Sequence, residues 1–200
     1  MVIIMKKTKL QLNTTMVCFL ALCAAINLVG SFLALTLRLP IYLDSIGSIL
    51  ASAMLGPLYG MLPGIVSSLI SGFTTDVYAL YYMPTQLITS ILTGIIYRRM
   101  QPKGLMLIPA AALISIPGTI VSSIITAVLF GGITSSGSAI LVQILSHLGL
   151  NLTLSICLVQ ALTEYADRLV ALMLTVAVIA AIPSSVKNLL WKGNKSHGTI

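Results

Sequence analysis

Residues 15–37 and 105–130 are apolar runs without a single acidic or basic side chain, each about as long as a helix needs to cross a bilayer core of ~30 Å. In lipid there is no water to bond an exposed backbone amide, so such runs must satisfy their own N–H and C=O groups as helices. Composition extends this to the whole chain. Only 8% of residues are charged and 58% are hydrophobic, with a mean hydropathy of +1.06, whereas a soluble domain carries about 25% charged residues. Eleven Lys and Arg with four Asp and Glu are too few to coat a 200-residue surface in water. The chain reads as one all-α integral membrane domain over 1–200.

Two shorter runs, 84–98 and 168–186, end at or near Arg98, Arg99 and Lys187, long basic side chains that reach the headgroups from a helix end. The uncharged stretch 45–75 would be about 46 Å long as one helix, so it is expected to break. Gly56-Pro57 is the break point, because Pro57 disfavours helix at the residue before it. The resulting spans are 45–56 and 60–73, with Gly56, Gly60 and Gly64 offering a smooth packing face. The stretch 139–163 is long enough to span but carries Gln143, His147, Asn151 and Gln160. With six spans and 139–163 on the outer face or re-entrant, the clusters at Lys6–Lys9, Arg98–Lys103 and Lys187–Lys195 share one side, as the positive-inside rule asks. The expectation is a compact six-helix bundle (15–37, 45–56, 60–73, 84–98, 105–130 and 168–186) in the cytoplasmic membrane, both termini cytoplasmic. The first helix is read as retained, since its run exceeds the apolar core of a signal peptide, about 7 to 15 residues.

Catalytic motifs are missing. There is no phosphate loop, HExxH, GxSxG or GxGxxG, and Cys18, Cys23 and Cys157 have no paired spacing or neighbouring ligand residues. Neither enzyme activity nor a metal or other cofactor is expected, although an intramembrane hydrolase built on His147 and an acid is a minor alternative. The net charge of +7 sits in short clusters between spans and so reads as topology rather than as a nucleic-acid surface.

The residues that stand out are polar groups at membrane depth, which are costly unless they find partners or ligands. Asn27 and Gln86 each sit a few turns into a span. Asp44 and Tyr82 lie near the outer ends, and His147 and Asn151, four apart, share a helical face. These six form the candidate substrate cavity, beneath a flexible lid at 131–137. Bland readings compete: Arg38 and Asp44 as a surface ion pair, Tyr78, Tyr81 and Tyr82 as an aromatic belt, and Glu164, Asp167 and Arg168 as a solvated helix start. Ala21 and Ala25 make a small-xxx-small pair, continued by Gly30 and Ala34, along which another helix could pack.

Taken together, the six-helix pattern, the basic N-terminus, Ala21-xxx-Ala25, Leu39-Pro40-Ile41-Tyr42-Leu43-Asp44-Ser45-Ile46-Gly47, Leu55-Gly56-Pro57-Leu58-Tyr59-Gly60 and Tyr82-Met83-Pro84-Thr85-Gln86 resemble a known family. It is that of the S components, the substrate-binding membrane subunits of energy-coupling factor (ECF) transporters. The branch it is most similar to is assigned to hydroxymethylpyrimidine or pyridoxine-like vitamins. The resemblance implies high-affinity vitamin capture, with Ala21 and Ala25 docking a coupling membrane subunit and two partner ATPases supplying the energy. A self-contained secondary transporter is the alternative. Against it stand the lack of an inverted repeat and the scarcity of titratable groups deep in the spans.

Overall fold

The computed structural model describes residues 13–132 and 134–195, with side chains as far as Leu190; the lysines at 6, 7 and 9 lie outside the described residues. All described regular structure is helical. The elements are α1 (Thr14–Thr36), α2 (Ile46–Leu55), α3 (Pro57–Thr74), α4 (Tyr78–Tyr81), α5 (Met83–Arg99), a 3-10 turn (Gly104–Met106), α6 (Leu107–Phe130), α7 (Ser138–His147), α8 (Leu152–Ala181) and α9 (Ser184–Lys195). Among the described residues two segments, α1 and Gly104–Phe130, are long and apolar enough to cross a membrane unaided. A third follows only if α8 and the start of α9, bent by 109°, count as one span.

The break at Gly56 falls where the sequence puts it. Gly56 has φ +91°, a conformation that strains any residue with a Cβ, and Pro57 then occupies the first turn of α3, where its missing N–H costs nothing. Gly60 faces Ser52 across the α2–α3 contact, and Gly64 faces Ser48 and Gln86. A further close helix approach uses Gly47, where a Cβ would run into the carbonyl of Cys23 on α1. The α1 stripe divides: Ala21 and Ala25 are exposed, while Gly30 and Ala34 turn inward.

Apolar packing concentrates toward the end where α1 begins. Met16, Leu20 and Cys23 of α1 pack on Leu50, Ala51, Met54 and Leu55 of α2, and Ile49 joins Tyr97, Ala111, Ile114 and Leu172 from α5, α6 and α8. The outer surface carries Leu22, Val29, Phe32, Phe73, Ile120 and Val128, all exposed, while Asn27, Gln86, Gln160, Glu164, Asp167 and Arg168 are buried. Apolar outside and polar inside is an arrangement that lipid, unlike water, makes favourable.

One expectation fails. The segments 139–163 and 168–186 are not separated by a loop at Glu164–Arg168; instead α7 is a short helix of its own, and a continuous 30-residue α8 starts at residue 152. Asn151 caps it, its Oδ1 accepting from Thr153 N at 2.9 Å. Nothing from 152 to 181 breaks a helix, for that stretch holds neither Pro nor Gly. The charges read as a solvated start sit midway along α8, where Arg168 pairs with both Glu164 and Asp167. At about 45 Å, α8 exceeds the bilayer core.

Candidate functional site

Helices α1, α3 and α6 finish, and α2, α5 and α8 start, at one end of the bundle, so the loops there meet. The α1–α2 loop, 37–45, does not cross that end flat. Its Leu43 N donates to Asp167 Oδ1 at 2.8 Å, and Asp167 is midway along α8, so the loop descends into the bundle to reach the start of the short α2. The descent puts Arg38 and Leu43 at φ of about 51° and 52°, a left-handed conformation that costs a non-glycine residue roughly 1–3 kcal/mol. Asp167 secures it: besides Leu43, its Oδ2 accepts from Ser45 Oγ at 3.2 Å and from Arg168 at 2.7 Å.

Arg168 is the hub of the buried charge. One guanidinium nitrogen donates to both Asp167 and Ser45, the other to Glu164 Oε2 at 2.8 Å, and all three charged side chains are buried. Both ion pairs among the described residues use this arginine. Asp44, on the descending loop, is in neither, and the Arg38–Asp44 surface pair does not form: Arg38 is exposed, whereas Asp44 is half-buried. Burial, and next the charge of Asp167, push the Asp44 carboxyl up from its ordinary value to about 7.

Two adjoining voids open beside this cluster. One has about 570 Å³ of empty space, its open mouth included, with Asn27, Ser31, Ser67, Ser71, Asp76 and Ser136 among its walls. The other, about 270 Å³ with its open mouth likewise included, is lined by Thr85, Gln86, Glu164 and Arg168, and the two share Tyr42, Asp44 and Tyr82. A larger space of about 950 Å³, its open mouth included, lies at the opposite end, among Tyr97, Lys103 and Lys187 with apolar walls, and holds none of the expected site residues.

Of those six residues, four come together. Asp44, Tyr82 and Gln86 line the crevice. Gln86 Nε2 donates to the Asp44 carbonyl at 3.1 Å, while Tyr82 Oη and Thr126 Oγ1 are 2.6 Å apart, and Thr126 also accepts from Gln160 at 2.7 Å. Asn27 reaches the wall too, but its amide is committed to the fold. It donates to Ser48 Oγ at 2.8 Å and Ser67 Oγ at 3.4 Å, and accepts from Gly47 N at 2.7 Å, tying α1, α2 and α3 together. His147 and Asn151 do not join the others. His147 ends α7, Asn151 caps α8, and both are exposed, because the turn at 148–151 separates them and removes the shared helical face that their spacing implied. Gln143 is exposed as well.

Residues 134–137 lie over the crevice, with Ser136 in its wall. Ser135 Oγ donates to Asp76 Oδ2 at 2.6 Å, Gly137 N donates to the Leu39 carbonyl at 3.2 Å, and Tyr78 and Tyr81 stack edge-on against Phe130 at 4.6 and 5.3 Å. These tyrosines pack between helix ends, whatever they also do at a membrane interface. Sequence reasoning underrated Glu164, Asp167 and Arg168. The signal was there, since Gln160, Glu164 and Arg168 recur every fourth residue and so share one face of α8. Comparison with known proteins finds no family model, no curated protein and no solved structure that matches the chain.

Proposed function

We propose that this chain is the substrate-binding membrane subunit of an ECF-type importer for a vitamin related to pyridoxine or hydroxymethylpyrimidine. The observation that carries this reading is a roofed polar crevice at one end of an otherwise apolar bundle, with Asp44, Glu164 and Arg168 in its wall and Asp167 bonded to Arg168 behind them. Buried ionisable groups in a membrane domain are expensive, and they mark substrate or ion sites by default. The reading makes α1, α2, α3, α5, α6 and α8 the six crossing helices, α7 an outer-face element and α9 an interfacial one. Arg98, Arg99, Lys103 and Lys187 sit at the end away from the crevice, which supports a cytoplasmic location for that end and an outward-facing site. Asp44, Tyr82 and Gln86 contact the vitamin in this account, and Asn27 shapes the wall.

Transport then needs partners, because no phosphate loop is present. The exposed Ala21 and Ala25 on α1 provide a flat face for the coupling subunit, and two ATPases complete the importer. Proteoliposomes containing only this chain are expected to bind substrate without concentrating it. Robust concentrative uptake by the chain alone would establish a secondary transporter instead. In the complete complex, Ala25→Trp is expected to reduce uptake while ligand affinity holds. Equal loss of both would make the stripe internal packing.

A further inference from the structure

The crevice holds more acid than base. Asp44, Glu164 and Asp167 gather around a single cation, Arg168, whose terminal nitrogens are already committed to Asp167 and Glu164. The carboxylate of Asp44 has a place in neither pair and lies in the wall of both voids. A separate observation points the same way without involving charge. Gln86 Oε1 and Thr85 Oγ1 are buried without a partner, on residues only 3% exposed that line the void shared with Glu164 and Arg168. Because Gln86 gives its N–H to the Asp44 carbonyl, the oxygen left over is a fixed acceptor, and only a donor satisfies it.

We propose that the crevice takes a small organic cation with an N–H donor, a protonated amine or an amino-substituted nitrogen heterocycle, with its positive charge against Asp44 and its N–H on Gln86 Oε1. This rests on the reading of the chain as a substrate-binding subunit and narrows it. With three carboxylates around one guanidinium, a neutral ring would leave an ionised Asp44 without a counter-charge in a desolvated site, whereas a cation supplies one. The rings of Tyr42 and Tyr82, 6.1 Å apart in the same wall, add faces that attract a cation. A metal ion suits the site less well, since among the described residues no three His, Cys, Asp or Glu side chains converge as ligands.

The test is calorimetry on the purified full chain in lipid nanodiscs at about pH 8, with pyridoxamine and pyridoxine as a pair that differ by a protonated amine in place of a hydroxyl. Pyridoxamine is expected to bind more tightly by roughly tenfold or more, the range for a hydrogen bond to a charged group. Asp44→Asn, of the same shape, is expected to erase the preference and Asp44→Glu to keep most of it, which separates a loss of charge from a loss of fold. Equal or tighter binding of pyridoxine, or a preference that survives Asp44→Asn, overturns the proposal, as does a co-purifying ligand that carries no positive charge. Those outcomes leave the transport reading standing. If the chain neither binds nor co-purifies with any small molecule, both fall.

Discussion

Replacing Arg168 with methionine isolates the energetics of the buried cluster. Methionine keeps the unbranched stem of the side chain but ends short of the guanidinium and removes its three donated bonds, one to Asp167 Oδ2 at 2.7 Å, one to Glu164 Oε2 at 2.8 Å and one to Ser45 Oγ. Glu164 and Asp167 are 4% and 1% exposed, so neither carboxylate can recover its hydration. Breaking a buried ion pair by deleting one partner costs about 3–5 kcal/mol. In a protein of this size 1 kcal/mol shifts Tm by roughly 2–4 °C, so a drop on the order of 6–20 °C is expected. The descending loop should loosen as well, because Ser45 loses Arg168 while Leu43 depends on Asp167 alone. Thermal unfolding in detergent, followed by circular dichroism, measures the loss. The double variant Arg168→Met with Glu164→Gln removes one stranded charge and should regain part of it. An Arg168→Met protein within about 1 kcal/mol of the parent, or a double variant less stable than the single one, would refute the view that this arginine neutralises the cluster.

Asn27→Ala removes one acceptor and two donors that join three helices, so a stability loss of roughly 1–3 kcal/mol is expected, read by the same unfolding assay; unchanged stability with weakened ligand binding would move Asn27 from the fold to the ligand. Asn151→Ala removes a helix cap worth about 1 kcal/mol and, like His147→Ala, is expected to leave ligand affinity unchanged, since both residues are exposed away from the crevice; a tenfold loss in either would return them to the site. The pH dependence follows from Asp44, whose carboxyl in the free protein titrates near about 7 and is faced by Asp167, Arg168 and Glu164 from α8 and Gln86 from α5. A cation favours the ionised form, so affinity for a permanently charged pyridinium probe is level above pH 7 and falls as pH drops below it, approaching about tenfold per unit. A flat profile down to about pH 5, by calorimetry, contradicts this.

What the sequence determined by itself was the solvent and the kind of element. Lipid leaves a backbone no partner but itself, so apolar runs of this length become helices whatever they pack against, and Gly56-Pro57 breaks its run through local sterics alone. Local rules also singled out Asn27, Asp44, Tyr82 and Gln86, which the fold brings to adjoining voids. They failed at 139–181, where a Glu, an Asp and an Arg in succession look like a solvated boundary until tertiary packing supplies their partners. Arg168 meets not only Glu164, one turn away, but also Ser45, 123 residues distant, while Asp167 holds Leu43 at a separation of 124. Bonds across such separations exist only once α2 and α8 are packed together. That packing brings Asp44, Glu164 and Arg168 to the wall of one crevice with Asp167 behind them, whereas the continuity of α8 and the place of Asn151 at its cap follow from local sequence.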